Sequence, residues 1–272
     1  MATTDTLTRR ELKRGDLPDL MALVEEAGWN QCDADWLRML DLGRGTGLAD
    51  DSGRIIASAV TLTYGAQIGW IGMVLVAEEW RRRGIATDLI ARAVEEITDT
   101  GMVPGLDATP AGEKVYRNMG FRGDLILNRW RRSGAGAANG IGVSQISIDD
   151  LEEIARLDSL GFGADRRGLL RSMLETDHTP GWTDGNGSYL LQRAGRTACQ
   201  LGPLLSTDEI AATDLLGSVI DGSDDALIID VPDRHTGLSR LLAAKGFKQE
   251  RQFKRMFHGA ETFGDASRLL AI

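Results

Sequence analysis

Several residue types are scarce in this chain, and each scarcity excludes a class of protein. The two cysteines, Cys32 and Cys199, lie in different halves and form no Cys-x-x-Cys pair. This spacing disfavours a disulfide framework and predicts two reduced thiols in a reducing compartment. The three histidines all lie in the second half without metal-ligand spacing, and no Ser-His-Asp set accompanies them. The sequence therefore predicts no metal site.

Long hydrophobic runs are also missing. The longest one, Ile68 to Ala77, has about half of the ~20 residues that a membrane-spanning helix needs. Residues 1–15 contain no apolar core of a signal peptide. By elimination, we expect a cytoplasmic protein with no membrane partner.

Positive charge is in short supply. The chain has 31 lysines and arginines against 40 aspartates and glutamates, a formal net charge of -9, and both halves are acidic. A protein that binds nucleic acid needs a basic face to displace counterions from phosphates, and only Arg81 to Arg83 form a basic cluster. The composition therefore disfavours nucleic acid and is more compatible with a small cationic or amine substrate. With 42% hydrophobic residues, the 272-residue chain suits two domains with real cores.

The stretch from Ile68 to Glu96 predicts a buried strand, a basic turn and an amphipathic helix. Trp70 to Ala77 is apolar enough for the strand, and the turn runs from Arg81 to Ala86. In the helix, apolar residues recur at steps of three and four while charged residues fall on the other side. The apolar positions are Ile85, Leu89, Ile90, Ala93, Val94 and Ile97.

The turn is chemically suited to a phosphate. The first amides of a helix have no intrahelical partner, and the aligned peptide dipoles add a partial positive charge there. Gly84 lets the backbone approach an anion, and Ala86 leaves room beside it. An arginine such as Arg81 can grip a phosphate in two places. The turn therefore predicts a pyrophosphate-binding loop, with a plain basic helix cap as the alternative.

Two motifs in the first half resemble those of the GNAT acyltransferase superfamily. The spacing Arg81-x-x-Gly84-x-Ala86 after a strand resembles its acyl-CoA signature, and Tyr116 to Phe121 resembles its Tyr-x-x-x-Gly-Phe element. Rival phosphate loops fit less well. No Gly-x-x-x-x-Gly-Lys-Ser/Thr is present, and the stretch Gly43 to Gly47 lacks the spacing of a dinucleotide fingerprint.

The resemblance implies that an amine attacks the thioester of acetyl-CoA directly. Backbone N–H groups fixed at the developing oxyanion need no reorganisation, and alignment of the two reactants supplies much of the remaining acceleration. The implied acetyl-CoA contacts come from the strand and the turn: Val74, Leu75, Val76, Arg81, Arg82, Arg83, Gly84, Ile85, Ala86 and Thr87. We expect the acceptor beside Trp29, Asn30 and Trp70, with ordinary packing as the alternative for Trp29.

Two residues are expected to move protons. Tyr116, with a reference pKa of about 10, is a neutral O–H donor at pH 7 and the candidate general acid for the leaving thiolate. The alternative is a tyrosine packed on its helix with a solvated hydroxyl. Asp107, at the end of its predicted strand, is the candidate base for an amine that arrives protonated. The alternative for Asp107 is capping of the helix that begins at Pro110.

The second half repeats the first, with one informative gap. Gly120 recurs 126 positions later as Gly246, whereas Gly72 recurs 130 positions later as Gly202. Four residues are therefore missing between strand and helix, where the phosphate loop should be. Residues 206–209, Ser-Thr-Asp-Glu, place carboxylates there and would repel a pyrophosphate. A chance internal similarity is the alternative.

These patterns predict an α/β (α+β) fold of two tandem GNAT-like domains, each a mixed, mostly antiparallel twisted sheet flanked by helices. Residues 1–133 form the predicted acetyl-CoA-binding catalytic domain, and the small, uncharged segment 134–142 a linker. Residues 143–272 form the predicted degenerate domain that lacks the CoA loop. This layout resembles bacterial GNAT proteins with a degenerate second acetyltransferase-like domain.

The leading functional hypothesis is an acetyl-CoA-dependent N-acetyltransferase that acts on a small-molecule amine. Acetylation of a protein lysine or N-terminus stays open, as does a regulatory module that binds acyl-CoA without turnover. A homodimer is compatible with the sequence, but no interface can be identified in it.

Overall fold

The computed structural model describes residues 7–134, 142–175, 180–259, 262–265 and 267–272. Most of the predicted linker, 134–142, lies outside these ranges, and the division of the chain at residues 133 and 143 stays a prediction. The first half contains β1 (Thr8–Glu11), α1 (Leu17–Glu26), α2 (Asp33–Leu42), β2 (Gly43–Ala49), β3 (Ile55–Tyr64), β4 (Ile68–Val76), α3 (Ile85–Asp99), β5 (Val103–Ala108), α4 (Pro110–Asn118) and β6 (Phe121–Arg132).

The second half has the same sequence of elements with one addition. It contains β7 (Ser144–Gln145), α5 (Leu151–Phe162), α6 (Arg167–Leu174), β8 (Gly181–Thr183), β9 (Tyr189–Arg193), β10 (Cys199–Leu205), α7 (Glu209–Asp221), β11 (Leu227–Pro232), α8 (Thr236–Ala244), β12 (Lys248–His258) and β13 (Leu269–Ala271). The strand β13 has no counterpart among the described residues of the first half. No helix in the described ranges is long and apolar enough to cross a membrane.

The helix α3 forms where its apolar spacing predicts it. Its inward face buries Ile85, Leu89, Ile90, Ala93 and Ile97, whose exposed fractions do not exceed 9%. The helix begins after Gly84, whose φ of 79° lies in the left-handed region that glycine adopts without strain. Burial of this face fixes the start of α3 against the sheet.

The described strands form one continuous, mixed sheet. Its order is β1-β2-β3-β4-β5-β12-β6-β11-β10-β9-β8-β7, and β13 pairs with β10. Neighbouring strands are antiparallel except for β4 with β5 and β10 with β11. The parallel pairs occur once in each half, where a helix connects the two strands.

The two halves exchange their long last strands at the centre of this sheet. The strand β12 of the second half pairs with β5 and β6 of the first, while β6 pairs with β11 of the second. Each half therefore completes the sheet of the other. No pattern in the amino-acid sequence predicted this exchange.

A matched pair of salt bridges joins the exchanged strands to their hosts. In the first half, Arg255 of β12 donates through Nε and Nη2 to the two oxygens of Asp107, both at 2.9 Å. In the second half, Arg129 of β6 donates to Asp230 at 2.8 and 2.6 Å. Two parallel N–H···O bonds fix direction as well as distance. These pairs therefore hold both exchanged strands in register.

Two buried side chains outside the exchanged strands also cross between the halves. Asn30 is 3% exposed and binds the second half at both ends of its amide. Its Nδ2 donates to the carbonyl of Ala198, and its Oδ1 accepts from the amides of Thr197 and Ala198. In return, Phe162 packs into the first half, with ring centroids 5.3 Å from Tyr64. The two halves thus share buried side chains as well as strands.

The exchange predicts that neither half folds alone. A fragment of residues 1–133 lacks β12 and leaves an unpaired edge on β5, which invites aggregation. We expect this fragment to show no cooperative thermal unfolding by circular dichroism, and to regain it when co-expressed with residues 143–272. A fragment 1–133 that melts cooperatively at the midpoint of the full chain would contradict the exchange.

Candidate active site

The strand β4 separates from its parallel neighbour halfway along its length. It pairs with β5 only from Ile68 to Trp70, opposite residues 103–105. Its register with β3 shifts between Ser58 and Val60, and Met73 adopts a φ of 50° at this bulge. No described strand covers the β5-facing edge of β4 beyond Trp70. The predicted contact residues Val74, Leu75 and Val76 therefore lie along an open backbone edge.

The loop after β4 presents a cluster of free amides. Within the described residues, the N–H groups of Arg82 to Thr87 have no intramolecular acceptor, and the first helical bond runs from Asp88 N to Gly84 O at 3.0 Å. Arg82 has a φ of 61°, and Gly84 lies in the same region. Consecutive amides at a helix start, together with the helix dipole, favour an anion. The structure thus brings the predicted phosphate-loop residues together.

The three arginines of this loop have different environments. Arg81 donates from Nε to the carbonyl of Val76 at 2.9 Å and from Nη2 to Glu26 at 2.6 Å. Arg83 donates to the carbonyl of Glu79 and stacks over Trp80. Arg82 has no side-chain partner in the described part of the chain. The guanidinium of Arg81 therefore holds the loop to α1 and β4 in this structure, and its contact with a phosphate stays a prediction.

Tyr116 lies on α4 and faces the core beside the open strand. Its ring centroid is 6.0 Å from that of Phe121, and it packs against the same apolar cluster as Val74. Its hydroxyl has no hydrogen-bond partner among the described residues. Burial raises the pKa of Tyr116 above its ordinary value near 10, because the phenolate would be poorly solvated. The side chain is therefore a neutral donor at neutral pH.

Asp107 binds the exchanged strand β12 and does not cap the helix α4. Both its oxygens accept from Arg255, as described above, and its carboxylate also lines a cavity. Thr109 caps α4 instead, because its hydroxyl accepts from the amide of Gly112 at 3.3 Å. The capping alternative for Asp107 is therefore wrong. Its use as a base stays a prediction.

A cavity of about 350 Å³ lies between the halves and reaches the bulge of β4. Trp29 and Trp70 line it, as predicted for acceptor contacts, whereas Asn30 does not. Instead, Asn30 uses its whole amide in the contact with the second half. The second half contributes residues that sequence reasoning did not single out, including Gln200, Arg251 and Phe253. The cavity therefore needs both halves.

The cavity lining is rich in positive charge, although the chain is acidic. Five arginines line it against three aspartates: Arg38, Arg129, Arg166, Arg193 and Arg251, with Asp35, Asp107 and Asp230. Burial and the neighbouring Arg129 lower the pKa of Arg251 from its ordinary value. A guanidinium nevertheless stays protonated at neutral pH. The overall charge of the chain therefore does not describe the charge of this cavity.

The corresponding groove of the second half is filled by the chain itself. The strands β10 and β11 pair over residues 199–201 and 227–229 and then separate. Into this gap β13 inserts, pairing Ala271 with Leu204 and Leu269 with Leu205. At the start of α7, Asp208 accepts from the amide of Ile210 at 2.9 Å. The second copy thus lacks the open strand edge, and a carboxylate of its own accepts from an amide at the helix start.

A splayed strand pair beside an amide-lined helix start, in a tandem of two equivalent folds, defines an acyltransferase of the acyl-CoA-using type. Residues 12–121 match the family described as "Acetyltransferase (GNAT) family", and residues 154–270 match "Acetyltransferase (GNAT) domain". The chain belongs to the GNAT superfamily and contains two tandem GNAT domains.

Individual proteins resemble the chain over most of its length. A holothin acyltransferase from a Pseudoalteromonas species is 25% identical over 228 residues, which cover 80% of this chain and 76% of that protein. A putative acetyltransferase from Pyrococcus horikoshii has a TM-score of 0.80 at 17% identity and covers 96% of this chain and 92% of its own. A tandem GNAT protein from the clavulanic acid biosynthesis pathway has a TM-score of 0.63 at 14% identity, with 94% and 100% covered. At these identities the two structures share the fold alone.

The conformation of Arg82 leads to a prediction about stability and binding. A non-glycine residue in the left-handed region costs about 1 kcal/mol, and the Arg82 side chain has no partner to offset it. We expect Arg82→Gly to leave the free energy of unfolding unchanged or higher, while coenzyme A binding weakens about tenfold as a charge-assisted contact is lost. Urea unfolding and isothermal titration calorimetry measure the two effects.

Arg92→Met is the matched control for this experiment. Arg92 lies on the exposed face of α3 and binds Asp88, away from the free amides. Its substitution removes the same charge without altering the loop. Equal losses of affinity in the two variants would show that general charge, rather than the loop, governs binding.

Proposed function

We propose that the protein is an acetyl-CoA-dependent N-acetyltransferase that acts on a small-molecule amine, with its catalytic site in the first half. The observation that carries the proposal is the continuity of the open edge at Val74 to Val76 with the free amides at Arg82 to Thr87. Tyr116 packs against the same apolar cluster as Val74 of that edge. In the second half, β13 occupies the equivalent groove.

The donor chemistry suits these groups. Acetyl-CoA supplies a thioester whose acyl carbon accepts the amine. The amides of Arg82 to Thr87 and the free guanidinium of Arg82 suit its diphosphate, because consecutive N–H donors and a helix start stabilise anions. The backbone of Val74 to Val76 offers hydrogen bonds to an extended pantetheine chain.

Each catalytic group in the proposal has one task. A backbone N–H at the β4 edge stabilises the negative charge that develops on the acyl oxygen. The hydroxyl of Tyr116 gives its proton to the departing sulfur, and burial keeps that hydroxyl protonated until it is needed. Asp107 faces the cavity and can receive the amine proton directly or through water, although Arg255 occupies both its oxygens.

The cavity between the halves supports a small acceptor. It is lined on one side by Trp29 and Trp70 and on the other by residues of the second half. A protein substrate needs an open groove, whereas a volume of about 350 Å³ lies in the range of small-ligand pockets. The similarity to a protein named for acyl transfer to holothin also favours a small acceptor.

A first test combines binding with turnover. Isothermal titration of the full chain with acetyl-CoA should give one site per chain, because β13 fills the second groove. A thiol-release assay over a panel of small amines should then detect transfer. A stoichiometry of two would contradict the filled groove, and tight binding without release for any amine would favour the regulatory alternative.

A second test isolates Tyr116. We expect Tyr116→Phe to lower kcat at least about tenfold and to change the Kd for acetyl-CoA by less than about twofold, because a general acid acts mainly in the transition state. Burial raises the pKa of Tyr116 above its ordinary value near 10, so the wild-type rate should not fall until the pH exceeds the ordinary tyrosine range. Stopped assays across alkaline pH provide the measurement. Equal rates for both proteins would remove Tyr116 from the mechanism.

A further inference from the structure

The wall of the cavity that β12 forms carries a positive charge, on Arg251, without a carboxylate partner. Among the described residues Arg251 has no salt bridge, and its Nε is buried without a hydrogen-bond partner. The other lining arginines each lie with a carboxylate: Arg38 and Arg193 with Asp35, Arg129 with Asp230, and Arg166 with Asp158. Arg251 is therefore the exception in this lining.

The fold does not require an arginine at this position. Burial of a donor without a partner is unfavourable, and an apolar side chain would avoid that cost. The internal repeat provides such a case, because Arg129 corresponds to Arg255 and, at the same shift, Leu125 corresponds to Arg251. The first copy thus uses leucine where the second uses arginine. A ligand that supplies the missing negative charge would account for this difference.

A second polar group in the cavity also lacks a partner. Gln200 is 5% exposed, and its Nε2 donates to Asp230 at 3.4 Å and to the carbonyl of Ile272 at 3.3 Å. Its Oε1 is buried without a donor. Rotation of the Gln200 amide would turn its oxygen toward the carboxylate of Asp230. The acceptors at Asp230 and Ile272 therefore fix the orientation of this amide. The amide of Gln200, which lines the cavity, therefore keeps one unused acceptor.

The guanidinium groups of Arg129 and Arg251 bracket one aromatic ring. They lie 4.8 and 5.4 Å from the centroid of Phe253, and Asp230 forms a bidentate pair with Arg129 alone. Asp230 therefore compensates Arg129, and Arg251 lies beside that pair without a salt bridge of its own among the described residues.

We propose that the acceptor is a small amine that also carries a carboxylate, and that this carboxylate binds Arg251 while a donor group of the same molecule binds Oε1 of Gln200. This inference rests on the proposed function and names its substrate class. A carboxylate matches the planar fork of a guanidinium in two places. The amine end then lies toward Gly72 and Met73, which line the cavity at the bulge of β4.

The experiment compares acids with their neutral amides. N-acetyl amino acids stand in for the product, and each is paired with its C-terminal amide. Both members are titrated by calorimetry into the full chain with coenzyme A present. We expect at least one acid to bind ten times or more tightly than its amide, because a charge-assisted contact at a desolvated site is lost in the amide.

Three variants assign the preference to Arg251. Arg251→Leu should abolish the preference for the acid and leave the melting midpoint unchanged or higher, since an unsatisfied donor is removed. Arg251→Lys should keep part of the preference. Arg240→Leu is the control. Among the described residues, Arg240 binds only Thr236 in the first turn of its own helix, so this variant should keep the full preference for the acid.

The possible outcomes separate this inference from acetyl transfer. No acid that binds better than its amide, or an undiminished preference in Arg251→Leu, overturns the carboxylate site. If an O-phosphorylated amine binds more tightly than every carboxylate, the site prefers a phosphate. That result would also overturn the carboxylate site. Thiol release is measured in parallel: acid-selective binding without release for any amine keeps the site and refutes the proposed function.

Discussion

The pairing of β6 with β12 is the interaction on which the rest of the molecule depends. These strands run antiparallel at the centre of the sheet, and each continues into the sheet of the other half. Backbone hydrogen bonds supply the contact. One bidentate salt bridge then fixes each strand against its host, β12 against β5 and β6 against β11. Neither half can separate without exposing an unpaired strand edge, which is costly in water. The exchange therefore makes the tandem a single folding unit.

The cavity is a direct consequence of this exchange. Leu127 and Arg129 of β6 lie in its wall beside Arg251 and Phe253 of β12, and the bulge of β4 reaches it from the first half. A copy of the fold standing alone would have neither the β12 wall nor Gln200. The second half has thus lost a groove for its own ligand and gained a part in the site of the first.

Local features were predictable from sequence because they depend on neighbouring residues. The spacing of Ile85, Leu89 and Ile97 predicted α3, and Gly84 with its arginines predicted the free amides at the start of that helix. The missing residues before α7 predicted that the second copy would lack this loop. The short segment Leu269–Ala271 gave no signal of its own, because three apolar residues are too few to identify a strand.

Non-local features were beyond the sequence for a physical reason. The strands β6 and β12 carry corresponding arginines, Arg129 and Arg255, so pairing within a half or between halves satisfies the same pattern. Asn30 was expected beside the acceptor, yet its amide is satisfied by backbone groups far along the chain. The position of Arg251 was the exception, because comparison with Leu125 in the repeat could have identified it.

Charged side chains are arranged in the same way at the two proposed ligand sites of this acidic chain. The acyl-CoA signature arginine, Arg81, is neutralised by Glu26, while the adjacent amides and Arg82 keep their hydrogen-bonding capacity. In the cavity, Arg129 of β6 is likewise neutralised by Asp230, while Arg251 of β12 has no salt bridge among the described residues. In each place one arginine is paired to hold the backbone and its neighbour is left to attract an anion. In the proposed complex, the anionic ends of donor and acceptor would be held at separate positions, and the uncharged thioester and the amine would meet between them at the bulge of β4.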